Sequence, residues 1–418
     1  DMKWFELFHD DVLKGLVKEA LEGNHDLKIA SARVLEAREQ YGITRADLFP
    51  QLNVGAQFSA LRNSQIGQFR FLPAGISLDT AYTQAGFSLG WELDLWGRIR
   101  RLKESARAQY LASEQVRHGV VTTLVADVST FYLDLRELDL ELEIARKTRD
   151  TAENGLRLTT LRHNRGVATG LDVHQAEQLL YTATAQIASA ERAIRQNENA
   201  LSLLLGRNPG DIARGKGLEE LAPPAGVPAG LPSALLERRP DVRQAEDMLI
   251  AANAQIGAAK AQYFPQISLT GFLGGQSRAL SDLFIGPARQ WSFVPSATAP
   301  IFTAGKIRSG VRFTEAQRME ALAIYQKTVQ TAFREVSDAL IGYTKNSQQR
   351  TEEERLVRAL RETARLSRLR YQGGLDSYLQ VLDADRNLFQ AELVLAQLRR
   401  EELVAVVQLY RALGGGWQ

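Results

Sequence analysis

No cysteine occurs among the 418 residues, which excludes disulfides, thiolate metal sites and a cysteine nucleophile. Methionine is scarce at 3, too few to suggest a copper-lined path. No run approaches the ~18 consecutive apolar residues of a membrane-spanning helix, so helical spanning is excluded while spanning by strands stays open. Charge of one sign is missing too. Lys+Arg 51 against Asp+Glu 49 leaves +2, no field to recruit nucleic acid. Basic runs such as Arg98-Ile99-Arg100-Arg101-Leu102-Lys103 sit among acids and read as solvated helix faces. No signal peptide is recognisable from Asp1 onward, which says little about export. Proline is absent where it would be most disruptive: none of the 12 falls in 97–205 or 301–418. An interior proline costs a helix ~3 kcal/mol, so these two tracts of Ala, Leu, Glu, Arg and Gln are expected to be long helices.

Groups that could carry chemistry are equally sparse. His9, His25, His118, His163 and His174 show no metal-ligand spacing and are expected on solvated helix faces. Glu352-Glu353-Glu354 reads as a charged helix patch. The "GGQS" at 274–277 and the terminal "GGG" lack the strand–loop–helix setting of a phosphate loop. The expectation is a protein with no catalytic residue, no metal and no cofactor.

What is present is the chain itself, twice. Leu48-Phe49-Pro50-Gln51-Leu52 returns as Tyr263-Phe264-Pro265-Gln266-Ile267, and Asp26 matches Asp241, both at a spacing of 215. Past a loop the spacing drops to 208 and holds: Gly97 with Gly305, Gly166 with Gly374, Leu205-Gly206 with Leu413-Gly414. A fixed spacing over more than a hundred residues implies elements whose length is geometrically set. The sequence therefore predicts an internal two-fold repeat. The ranges are an N-terminal segment and helix (1–50), a β-hairpin (51–96), a long helical hairpin (97–206) and a proline-rich linker (207–232). A repeat helix (233–265), a second β-hairpin (266–302) and a second helical hairpin (303–418) complete the chain.

The helical tracts carry heptad rows. Val121, Leu124, Val128, Phe131, Leu135, Leu138, Leu142 and Ala145 step by three and four. So do Ala176 through Leu204, and in the second half Ala384 through Ala412, the pattern of coiled-coil seams. A helix from Gly97 to Asn164 would span roughly 100 Å at 1.5 Å per residue. Glycine turns at 165–170 and 372–377 would reverse each hairpin, with their tips at the far end from the strands. Ahead of each long helix the period changes to two. Gln51–Ala60, 83–95, Gln266–Gly274 and Trp291–Ile301 alternate polar and apolar, as strands with one wet and one dry face do. The apolar face is expected to point outward, with Tyr82, Phe87, Trp91, Trp96, Phe272, Trp291 and Phe293 as interfacial aromatics. Four strands cannot close a barrel, and open edges are not tolerated in lipid, so several chains must contribute. A soluble sheet packed on a helix would show the same alternation.

These features resemble the TolC-type outer-membrane efflux ducts, and within them the OprM-like lipoprotein branch. The resemblance is carried by "WELDLWGRIRR" (91–101), "RRPDVRQAEDMLIAANAQIGAAKAQYFPQISLTG" (238–271) and "RYQGGLDSYLQVLDADRNLFQAE" (370–392), and extends over essentially the whole chain. It implies an α+β membrane protein of the Gram-negative outer membrane. Its fold would be a homotrimeric 12-stranded β-barrel continued by an α-helical barrel that projects into the periplasm. It also implies a periplasmic adaptor and an inner-membrane RND-type pump as partners. The branch begins with a lipidated cysteine; this sequence contains none, so lipidation is not implied. Two sites follow by position. Gly166, Val167, Thr169, Gly374, Leu375 and Ser377 match the tips that meet the adaptor. Leu379, Asp383 and Arg386, at i, i+4 and i+7 on one helix face, match the periplasmic constriction, with Leu171, Gln175 and Gln178 in the corresponding places of the first half. A plain helix turn and a solvated ion pair are the competing readings of those residues. A coiled-coil protein without a pore, or a duct for polypeptide secretion, competes with the efflux reading. Drug, metal and polypeptide cargo are not distinguished.

Overall fold

The computed structural model describes residues 10–64, 78–221 and 237–415. His9, part of the first strand loop and residues 222–232 of the linker lie outside the described residues. In chain order the elements are α1 (Asp11–Gly23), α2 (His25–Ala46), β1 (Gln51–Arg62), β2 (Asp79–Leu93), α3 (Arg98–Asn164), α4 (Gly170–Leu204), α5 (Pro240–Ala261), β3 (Gln266–Ser277), β4 (Arg289–Thr298), α6 (Lys306–Gln372) and α7 (Tyr378–Ala412). Helices α3 and α6 have 67 residues each, and α4 and α7 have 35 each. Contacts divide the chain into two compact units. One comprises Asp1–Ala32, Glu114–Arg243 and Gln326–Gln418, the other Arg33–Ser113 and Gln244–Tyr325.

The first unit is helical. Its core joins Leu13, Leu16 and Val17 of α1, Leu124 to Leu135 of α3, Ile194 and Leu201 of α4, and Leu403, Val406 and Val407 of α7. The heptad rows supply its buried side: Leu124, Val128, Leu135, Ala176, Ala183, Leu201, Leu395 and Leu409 are all buried. A buried carboxylate fixes the start of α1. Asp10 Oδ1 accepts from Val12 N at 2.9 Å, while its Oδ2 accepts from the Tyr132 hydroxyl at 2.8 Å and from Lys216 N at 3.1 Å. His118 departs from expectation. It is half-buried, and burial, then the charge of Arg117, hold its pKa down.

The second unit carries one antiparallel sheet in the order β1-β2-β3-β4. Its strands overrun the alternating stretches at the loop end, with β1 reaching Arg62 and β2 starting at Asp79. At the other end β2 stops at Leu93 because Asp94 turns back, its carboxylate accepting from Ile99 N at 3.0 Å and Arg100 N at 2.8 Å. This caps α3 and satisfies amides that have no intrahelical partner. The same corner is latched by Glu92, which takes a two-pronged contact from Arg98 (2.9 and 2.7 Å) and a third from Gln266 Nε2 at 2.7 Å. The WELDLWGRIRR motif is thus a strand-to-helix corner.

Candidate functional site

Strand register decides which side chains share a wall. Val54 pairs with Phe87, Phe87 with Leu273, and Leu273 with Trp291. That row is apolar throughout and exposed at 76%, 53%, 64% and 77%. Leu52, Leu89 and Phe293 form the next row with Gly271, and Trp91 pairs with Leu269 below it. Leaving a large apolar side chain in water forgoes roughly 1.5–3 kcal/mol. Leu52, Val54, Phe58, Phe87, Leu273, Trp291 and Phe293 are all exposed, so this face forgoes at least about 10 kcal/mol, comparable to a domain's entire stability. The opposite face carries Asn53, Gln57, Gln84, Ser88, Ser268, Thr270 and Gln290. There Gln84 Nε2 donates to Gln290 Oε1 at 3.3 Å, and Ser268 and Ser296 hydroxyls meet at 2.8 Å.

Two of the seven expected wall aromatics lie on the other face, and a third lies past the strand end. Tyr82 pairs with Ser59, and Phe272 pairs with Ser88 and Ser292, which puts both on the polar face. Parity fixes the face whatever the side chain's nature. The Phe272 ring lies across Gly86 and Gly274, where an added Cβ would meet its Cζ at 2.9 and 2.7 Å. Trp96 lies beyond the end of β2. Its ring stacks on Phe264 at 4.8 Å, and its Nε1 donates to Pro265 O at 2.7 Å. Phe87, Trp91, Trp291 and Phe293 lie on the apolar face.

At the helix tips Gly166 and Gly374 adopt φ of 73° and 75°, a left-handed conformation that a Cβ disfavours. Val167, Thr169, Leu375 and Ser377 are exposed around them. The Thr169 hydroxyl caps α4 in a reciprocal box with Asp172, whereas Ser377 begins α7 without a side-chain cap. The second tip is braced instead by Arg370 and Asp376, Nε to Oδ2 at 2.6 Å.

Leu379, Asp383 and Arg386 lie exposed on one face of α7, with Tyr378, Val381 and Leu382 buried behind them. Arg386 Nη2 stands 3.7 Å from Asp383 Oδ1, and Asn387 Nδ2 donates to Asp383 Oδ2 at 3.2 Å. An exposed pair of this kind is worth at most about 1 kcal/mol within one chain. In the first hairpin Leu171 and Gln178 are exposed and Gln175 is half-buried. Sequence reasoning missed the contacts that tie the two hairpins together here. Tyr378 packs its hydroxyl against Gly155, hydrogen-bonds Thr159, and meets Tyr371 edge-on at 5.4 Å. Burial pushes the Tyr378 phenol up to about 12. Arg162 lies over the Tyr371 ring at 4.4 Å. No sequence signal marks these residues, because the places that match Tyr371 and Tyr378 hold His163 and Gly170.

Among the described residues no helix is long and apolar enough to cross a membrane, and no group of three acidic or histidine side chains is placed to hold a metal ion. Residues 16–207 and 231–415 match the family model for outer membrane efflux proteins. The toluene efflux pump outer membrane protein TtgC of Pseudomonas putida is 40% identical over 421 residues, covering 99% of this chain and 85% of that protein. Outer membrane protein OprJ of Pseudomonas aeruginosa is 40% identical over 434 residues, covering 100% of this chain and 86% of that protein. The solved structure of the outer-membrane channel OprN superposes with a TM-score of 0.94 at 32% identity, covering 100% of this chain and 93% of that one.

Proposed function

The chain belongs to the outer membrane efflux protein family, and on that premise we propose that it is the passive exit duct of a tripartite efflux system. It resides in the Gram-negative outer membrane, as its relatives do. The observation that carries the duct reading is the four-stranded sheet with one dry exposed face, one polar face and two edges, β1 and β4, that are unpaired among the described residues. Each unmet backbone group in hydrocarbon costs several kcal/mol, so two bare edges would cost tens. Three copies of four strands close a 12-stranded barrel and remove every edge. Strands of 12, 15, 12 and 10 residues are long enough for a tilted crossing, which needs about 9–11. The apolar face then meets lipid and the polar face lines water.

In this reading the helix tips at Gly166–Thr169 and Gly374–Ser377 meet the hairpins of a periplasmic adaptor, and an inner-membrane pump supplies the energy. Leu379, Asp383 and Arg386, tripled about the axis, close the duct. Three leucines narrow the passage while Asp383 and Arg386 bond to neighbouring chains, where desolvation makes charge-assisted bonds stronger than the 3.7 Å pair within one chain. The two halves are read as a duplication. Supporting this, the paired helices have equal lengths, and Gly97 and Gly305 share a left-handed φ of 78° and 85°. Cargo is set by the pump. Light scattering in detergent should give the mass of three chains, and the band should collapse to one chain on heating. A monomer that stays soluble in plain buffer would overturn the duct.

A further inference from the structure

The connection between β3 and β4 is folded onto the wall of the sheet rather than across its polar side. Gly275 pairs with Ala85 and Arg289, which puts it on the apolar face. A Cβ there would fall 2.0 Å from Leu283 O and 3.7 Å from Ala288 O, so the loop backbone crosses that face directly over Gly275. Leu283 is buried beneath the loop, and the short turns Leu280–Asp282 and Gly286–Ala288 shape it. The fold-back leaves Leu280, Phe284 and Ile285 at 72%, 84% and 49% exposure.

Two arginines frame these side chains. Arg278 follows β3, and Arg289 opens β4 on the apolar face, one row beyond Trp291. Both are exposed, and among the described residues neither has a carboxylate within ion-pairing distance. The loop's own acid, Asp282, accepts from Ser281 Oγ at 2.9 Å. Among the described residues of the first hairpin, Arg62 on the same face is matched by Asp79 at 3.5 Å. Uncompensated positive charge beside exposed apolar side chains therefore occurs at the second hairpin's rim.

We propose that this loop binds a phosphorylated lipid of the outer leaflet. Leu280, Phe284 and Ile285 enter the acyl region, and Arg278 and Arg289 hold the lipid's phosphate groups. The proposal rests on the sheet being a membrane wall. Its logic is that of interfacial anchoring: apolar side chains enter the boundary while guanidinium groups form two-pronged bonds to phosphate above it. The location next to the Trp291 row places the charge where headgroups begin. A loop serving as a pore gate would have to cross the polar face instead.

The cysteine-free sequence makes Phe284→Cys a unique attachment point for an environment-sensitive dye. The labelled trimer is placed in phosphatidylcholine vesicles with and without a phosphorylated lipid A, and insertion is checked by conductance. The dye is expected to be quenched by spin-labelled lipid and spared by aqueous iodide. Lipid retained per trimer, read by native mass spectrometry, is expected to fall about tenfold in the double variant Arg278→Gln, Arg289→Gln. Inorganic phosphate should displace nothing. Inserted protein whose dye meets only iodide, or whose double variant keeps its lipid, overturns the proposal and leaves the duct standing. Failure to insert into either vesicle overturns both.

Discussion

The two helical hairpins have the same dimensions and are held together differently. At positions 208 residues apart, Leu142 and Ile194 of the first become Arg350 and Glu402 of the second, joined Nε to Oε2 at 2.6 Å. Arg361 with Glu392 (2.7 Å) and Arg368 with Asp385 (2.6 Å) add two further bridges between α6 and α7. Their first-hairpin counterparts are Glu153 with Thr184 and Thr160 with Glu177. One bridge appears in both with its signs exchanged: Arg146 with Glu191 at 2.9 Å and Glu354 with Arg399 at 3.6 Å. Length and register therefore come from the apolar seam. Cross-helix charge is a separate layer, denser on the hairpin that carries Leu379, Asp383 and Arg386.

The largest test of that contrast is to strip one side of it. Glu402 is buried within the seam, so Arg350→Leu leaves a carboxylate without its main partner and should cost about 3 kcal/mol. Adding Glu402→Ile, which rebuilds the Leu142–Ile194 pairing, should restore the unfolding midpoint or raise it. A double variant as unstable as the single one would show that the two hairpins are not interchangeable at this layer.

A second test concerns an acid buried in the first hairpin where the second holds Lys345. Burial pushes the Glu137 carboxyl up to about 7. Arg400 at 3.2 Å pulls it back, but the same guanidinium also serves Asp134 at 3.2 Å. Glu141 and Glu401 add repulsion, so the net direction is upward. A carboxyl raised in the fold favours the folded state below its unfolded value and loses that contribution as pH climbs through the folded one. From about pH 5 to pH 8 Glu137 alone should withdraw at most about 3 kcal/mol from the fold. Glu137→Gln should flatten that slope and raise the melting temperature at pH 8 while leaving pH 5 unchanged.

Smaller effects sharpen the comparison at the tips. Gly166→Ala and Gly374→Ala should each cost about 1–2 kcal/mol, because nothing lies within 4 Å of either and only backbone strain is at stake. Equal costs would mark the turns as equivalent. The caps should differ. Thr169→Ala removes a formed capping box and should cost about 1 kcal/mol, whereas Ser377→Ala, with no side-chain cap to lose, should cost a few tenths. Amide exchange in the first turns of α4 and α7 would read the difference.

Much of this architecture is legible in the sequence because it is periodic. Heptad rows such as Leu124, Val128 and Leu135 mark buried faces, and alternation such as Leu52, Val54, Phe58 marks a strand wall. Errors arose where residue character was read without position. Tyr82 and Phe272 look like interfacial aromatics, yet register puts them among the serines and glutamines of the other face. What stayed hidden depends on contacts distant in sequence. Asp10 with Tyr132, Arg400 with Glu137, and Leu283 over Gly275 require the relative register of separate elements, which no single-helix or single-strand pattern encodes. The exposed face of Leu379, Asp383 and Arg386 was legible from its i, i+4, i+7 spacing.

A water-filled membrane duct closed by the charged face of the second hairpin must conduct ions, and conduct more when that face is cut back. The most direct measurement is single-channel conductance in planar bilayers, with wild type beside Asp383→Ala and the first-hairpin control Gln175→Ala. Small, rare wild-type openings that grow in Asp383→Ala and stay unchanged in Gln175→Ala are the expected result. Channels that ignore both substitutions would contradict the gate, and protein that never inserts would contradict the duct itself.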